Sequence, residues 1–193
     1  MPGHITVASD NFVRANAGTL GGNWSIALGS FAINTNRAEG VDSGYNDAVW
    51  TANAFANDQY STYIVATGST AYLGPIVRFN AGSNSGYFGL YGPSGDNYIV
   101  KRVSGSDTNL ATNGSGTAYA VGVTLELDVV GNTLTFTRNG TTLLTVTDSS
   151  SPITSGSAGI TGSSANGTFC SYWEGGNLGS TGVPGLLMML GTG

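Results

Sequence analysis

The sequence predicts an all-β fold, a two-sheet antiparallel β-sandwich, and three observations lead there. Thr, Ser, Val, Asn and Tyr are plentiful while Lys, Glu, Gln and Met are scarce, a mixture that favours strands over helices. Glycine supplies 31 of the 193 residues, well above the ~7% of ordinary proteins, and supplies turns between short apolar runs. Those runs alternate apolar and polar residues with period two, and no window repeats at the helical period. Hydrophobic residues make up 40% of the chain, enough for one well-filled core, so disorder and a helical bundle are both excluded.

In chain order, 24–28 and 31–33 read as short strands. Runs 60–67, 74–80, 86–91 and 97–103 follow, separated by Gly, Ser, Asn and Pro clusters. The clearest unit spans 123–147. Val123, Leu125, Leu127 and Val129 alternate with Thr124, Glu126 and Asp128, and Gly131-Asn132 makes a turn. Leu134 and Phe136 then alternate with threonines up to Asn139-Gly140, a strong two-residue hairpin signal because both residues tolerate positive φ. Leu144 and Val146 mark the third strand of this antiparallel meander. Segments 158–160 and 168–174 complete a set of about ten to fourteen strands, the number expected of a sandwich or barrel.

The expected organisation is one β-sandwich over 1–176, with an N-terminal lead-in, followed by a Gly-rich linker and tail over 177–193. The tail holds Leu186, Leu187, Met188, Met189 and Leu190, five consecutive large apolar residues. In water these would invite aggregation, so they are expected to bury against this domain or a partner subunit.

Charge narrows the partners. Six basic residues stand against eleven acidic ones, giving a net charge of -5. The bases are scattered, so the clustered positive footprint of a nucleic-acid binder is missing, and acidic character argues against anionic membranes. One cysteine, Cys170, precludes an intrachain disulfide. The opening residues lack a signal peptide's basic and apolar regions, so synthesis in a cytoplasm without secretion is expected.

Asp10-Asn11-Phe12-Val13-Arg14-Ala15 with Leu20-Gly21-Gly22-Asn23-Trp24 resembles the opening of concanavalin A-like, laminin-G-type jelly-roll domains. The segment from Phe31 to Ala38, the hairpin from Leu125 to Gly140, and Gly159-Ile160 with Phe169 to Glu174 are similar to later blocks of that family. The resemblance implies two stacked antiparallel sheets, one with a concave face. It also implies a role among lectins, glycan-binding modules, glucanases or structural domains of phage particles.

Glycanases of this fold carry a Glu-x-Asp-x-x-Glu strand. Here Glu126 and Asp128 share one strand face, but Gly131 stands where the second Glu is needed, so no catalytic pair forms. His4 is the sole histidine, which leaves a hydrolytic triad dependent on the N-terminal segment and makes zinc improbable beside a single cysteine. Asp42, Asp47, Asp58, Asp96 and Asp107 sit in loop-like sequence without a calcium-ligand series. No cofactor, metal site or catalytic residue is expected.

Two aromatic groups suit sugars: Tyr45, Asp47 and Trp50, and then Tyr87, Tyr91, Asp96, Asn97 and Tyr98. Aromatic faces stack sugar rings while neighbouring polar groups bond hydroxyls. Trp24 and Trp173 are assigned to the core. The leading expectation is a non-enzymatic virion structural protein, a phage capsid decoration or cement protein held by its tail to other subunits. The alternative is a lectin-like, carbohydrate-binding module for glycan or host-surface attachment.

Overall fold

The structure is a computed structural model and describes residues 3–66, 71–114, 120–163 and 169–179. Among these, fifteen strands form and no helix. The first eight are β1 Gly3–Asp10, β2 Trp24–Leu28, β3 Phe31–Ile33, β4 Ala38–Gly40, β5 Tyr45–Trp50, β6 Gln59–Val65, β7 Leu73–Asn80 and β8 Ser85–Tyr91. The others are β9 Asp96–Val103, β10 Ser106–Gly114, β11 Thr124–Val130, β12 Thr133–Arg138, β13 Thr141–Thr147, β14 Ser157–Ser163 and β15 Phe169–Gly179.

They make two antiparallel sheets. An eight-stranded sheet runs β13-β12-β11-β6-β15-β4-β3, with β1 also paired to β15, and a seven-stranded sheet runs β10-β9-β8-β7-β14-β5-β2. The meander forms as the alternation requires: Leu125, Leu127, Val129, Leu134 and Phe136 are fully buried. Its hairpin places Asn139 at φ 48 and Gly140 at φ 75, the left-handed pair that a tight two-residue turn needs.

Between the sheets those residues meet Tyr63 and Trp173 from their own sheet and Ala48, Trp50, Leu73, Val77, Tyr87, Ile99 and Ile160 from the other. Trp24, Trp50 and Trp173 contact one another with ring centroids 4.7–5.4 Å apart. Each indole N–H finds an acceptor: Asp10 for Trp24, Asn53 for Trp50 and Ser61 for Trp173. Trp24 and Trp173 therefore lie where the sequence assigned them.

Four strands escaped the sequence reading: β1, β4, β5 and β10. The lead-in is itself a strand, β1, paired with β15 from Gly3↔Gly179 to Asp10↔Trp173. The supposed linker at 177–179 is the end of β15, where Leu178 is buried. β5 is covered on both faces, so its sequence does not alternate. Polar Asn46 survives there because its amide bonds Ser30, Asp42, Gly44 and Gly162. β10 is a polar, mostly exposed edge without an apolar face to announce it. Thr67, Thr168 and the apolar run Leu186, Leu187, Met188, Met189 and Leu190 lie outside the described residues.

Candidate functional site

Period-two alternation gives the seven-stranded sheet an outer face with its own apolar cluster. Val49, Ile76, Phe79, Phe88, Leu90 and Val100 pack there, flanked by Tyr72 and Tyr98. Arg102 lies among them with its guanidinium 4.4 Å from the Phe88 ring centroid and 5.4 Å from that of Tyr45.

Two carboxylates hold Arg102. Its Nη1 donates to Asp47 Oδ2 at 2.5 Å, and its Nε and Nη2 grip both oxygens of Asp107 at 2.6 and 3.1 Å. Thr161 donates its hydroxyl to the other oxygen of Asp47. Burial opposes the charge on Arg102, but hydrogen bonds and attraction from Asp107 and Asp47 raise its pKa above the ordinary value. The fork of a guanidinium suits this two-sided grip.

Above this floor opens a cleft of about 250 Å³ lined by Tyr45, Tyr72, Leu90, Tyr98, Val100, Asp107 and Asn109. Tyr72 and Tyr98 meet edge to face, centroids 5.6 Å apart. Hydrogen bonding to Tyr98 and burial raise the Tyr72 pKa, and burial raises that of Tyr45, so both phenols stay protonated at neutral pH. The cleft thus offers aromatic faces, phenol hydroxyls, one carboxylate and one amide.

The two sequence-selected groups contribute Tyr45 and Tyr98 to it and little else. Asp47 is fully buried in the ion pair beneath. Trp50 points to the opposite side of β5, stacked on Trp173 in the core. Tyr91 is buried with Arg138 over its ring, and Tyr87 is buried with its hydroxyl bonded to Asp148. Asn97 is buried and donates to the Gly95 carbonyl, while Asp96 is half-buried at the start of β9 and does not line the cleft. Trp50, Tyr91 and Asn97 fail as sugar platforms because strand alternation turns them inward or covers them. Tyr72, Asp107 and Asn109 were missed; Tyr72 lies beside a predicted strand, but β10 gave no signal to place the other two.

The aspartates in loop-like sequence do not converge on a cation site: those described with an ion pair meet arginines. Asp58 pairs with Arg78, and Asp47 and Asp107 pair with Arg102. Glu126 and Asp128 do share the outer face of β11, half-buried, and Gly131-Asn132 is the turn that the sequence indicated.

No family model matches the chain, and no curated protein matches its sequence. Solved structures do resemble it. A Bacillus subtilis protein of unknown function with a galectin-like fold superposes with TM-score 0.66 at 12% identity, over 92% of this chain and 98% of that one. The carbohydrate-binding module CBM66 from Bacillus subtilis gives 0.62 at 12% identity, over 81% and 94%. The VIP36 exoplasmic/lumenal domain in its Ca2+/Man3GlcNAc-bound form gives 0.56 at 10%, over 80% and 85%. A GH43 protein from Bacillus licheniformis also matches, at 12% identity and TM-score 0.57, over 86% of this chain but only 38% of its own. The fold is the concanavalin A-like jelly-roll β-sandwich.

Proposed function

We propose that this chain is a non-enzymatic, lectin-like carbohydrate-binding module that holds a glycan in the tyrosine cleft of its seven-stranded sheet. One observation carries the reading: Tyr45, Tyr72 and Tyr98 surround an open cleft with Asp107 and Asn109 on its wall, over a buried Arg102 network. Aromatic faces suit the C–H faces of a sugar, and fixed polar groups suit its hydroxyls. Structures of the same fold described as a carbohydrate-binding module and as an oligosaccharide-bound lumenal domain support it. Nothing in these likenesses supports virion decoration or subunit partners.

A glycan array followed by calorimetry tests the reading. At least one glycan is expected to bind, with Tyr98→Ala and Tyr72→Ala each weakening it by about tenfold, the loss of one interface anchor. No glycan on a broad array, or binding that ignores both substitutions, refutes it. Hydrolysis of a bound glycan that disappears in Glu126→Gln would refute the non-enzymatic part.

A further inference from the structure

The opposite face of the sandwich carries a group of residues that the tyrosine cleft does not use. His4 on β1, with Glu126 and Asp128 on β11, brings one imidazole nitrogen and two carboxylate oxygens within 4.8 Å of one another. His4 Nε2 stands 3.7 Å from Glu126 Oε1. We propose that these three side chains bind a divalent transition-metal ion of zinc type, which clasps the N-terminal strand to the eight-stranded sheet.

Topology, rather than sequence spacing, makes the group. β15 and β6 separate β1 from β11, and the register aligns Thr6, Gly176, Tyr60 and Asp128 across the four strands. At Gly176 a Cβ would stand 2.6 Å from the Tyr60 ring and 2.3 Å from the Ile5 carbonyl oxygen, so glycine leaves room for what crosses above it. His4 crosses there, its ring stacked on Tyr60 with centroids 4.1 Å apart and planes 15° from parallel.

The carboxylates are arranged for a cation. Thr62 donates to Glu126 Oε2, which leaves Oε1 toward His4. Asp128 Oδ1 is buried and has no hydrogen-bond partner among the described residues, an arrangement that costs stability unless something fills it. Glu174 nearby is differently placed, accepting from Thr6, Tyr60 and Tyr172. Among the described residues no Lys or Arg forms a salt bridge with Glu126 or Asp128.

The donor set selects the ion. One imidazole and two carboxylates suit zinc and its first-row neighbours, whereas calcium takes six to eight oxygens. Ligand atoms about 2.1 Å from a tetrahedral ion lie about 3.4 Å apart. The 3.7 Å between His4 and Glu126 is close to that. His4 is partly exposed, which leaves an entry path and room for water as a further ligand.

The test is titration of the untagged, metal-stripped full chain with zinc chloride, followed by calorimetry and thermal unfolding, with calcium chloride as the comparison and cobalt as an absorbing probe. One zinc per chain is expected, with a Tm that rises as zinc is added because the ion binds only the native state. His4→Ala, Glu126→Gln and Asp128→Asn should each weaken uptake by about tenfold or more while keeping the β circular-dichroism spectrum. Tyr98→Ala should leave zinc uptake unchanged, which separates this site from the glycan reading. No saturable uptake by about 1 mM zinc, uptake indifferent to the three substitutions, or tighter calcium binding overturns the proposal.

Discussion

Replacing Asp47 with alanine tests whether the Arg102 network holds the floor of the cleft. The Arg102 side chain is 4% exposed and that of Asp47 0%, so the pair is fully withdrawn from water. Removing Asp47 leaves the guanidinium with Asp107 alone, a carboxylate 34% exposed, and deprives Thr161 of its acceptor. Breaking a buried pair by removing one partner costs about 3–5 kcal/mol. In a domain of this size that corresponds to a Tm lower by roughly 6–20 °C. Urea unfolding of the full chain measures it, with the m-value unchanged if the native state stays compact. The double variant Asp47→Leu/Arg102→Met, apolar on both sides, should recover much of the loss, because no charge is then left buried alone. A cost for Asp47→Ala below about 1 kcal/mol, or a double variant that merely sums two single losses, would show that water reaches Arg102 and refute the reasoning.

Three further outcomes follow from other sites. Burial opposes ionisation of Asp10 and Asp148, but Arg14, Trp24 and the Phe12 amide for the first, and Lys101, Tyr87 and the Ser150 amide for the second, lower both pKa values. The stability they confer is therefore present above the ordinary aspartate range and lost as pH falls through the depressed values, so acid unfolding should set in below about pH 4 and be blunted in Asp148→Asn. Cys170 is buried, and burial pushes its thiol pKa well up, so it should resist alkylation in the folded chain and react only on unfolding. A chain ending at Gly182 keeps every described strand, whereas one ending at Gly176 loses buried Leu178 and the β15 partners of Gly3, His4 and Ile5. The shorter chain should unfold more easily by about 2–5 kcal/mol while the longer does not, and comparing the solution mass of the longer with that of the full chain tests whether the apolar tail is an assembly anchor.

Much of the fold was legible because the core side of most strands obeys a simple alternation. The meander around Leu127 and Phe136 needed nothing beyond that and Asn139-Gly140. The Asp10 block was legible as a resemblance, and its physical reason is local: one carboxylate accepts from Arg14, Trp24 Nε1 and the Phe12 amide, which ties the chain's entry to the core. β5 was not legible because both its faces are covered, so buried Asn46 and Asp47 imitate a loop. The sites were harder still. Reading Tyr45 with Trp50 as one group ignored that residues five apart on a strand face opposite sides. The His and Cys count that made zinc improbable could not show that pairing through β15 and β6 brings His4 of β1 within reach of Glu126 and Asp128 on β11.

Both candidate sites share a physical logic that the core itself explains. A sandwich spends its large apolar residues between the sheets, and polar groups on the outer faces are ordinarily solvated. Here each outer face instead withdraws polar groups from water: Asp47, Thr161 and Arg102 on one side, Asp128 Oδ1 on the other. The first set is internally satisfied, so it acts as scaffold, fixing Asp107 at the wall of a cleft whose open surface is aromatic. The second is not, since Asp128 Oδ1 finds no hydrogen-bond partner among the described residues, while a carboxylate oxygen of Asp128 lies within 4.8 Å of a second carboxylate and an imidazole. The completed network underlies the proposed cleft for a neutral ligand that stacks, and the incomplete one underlies the proposed site for a cation that coordinates.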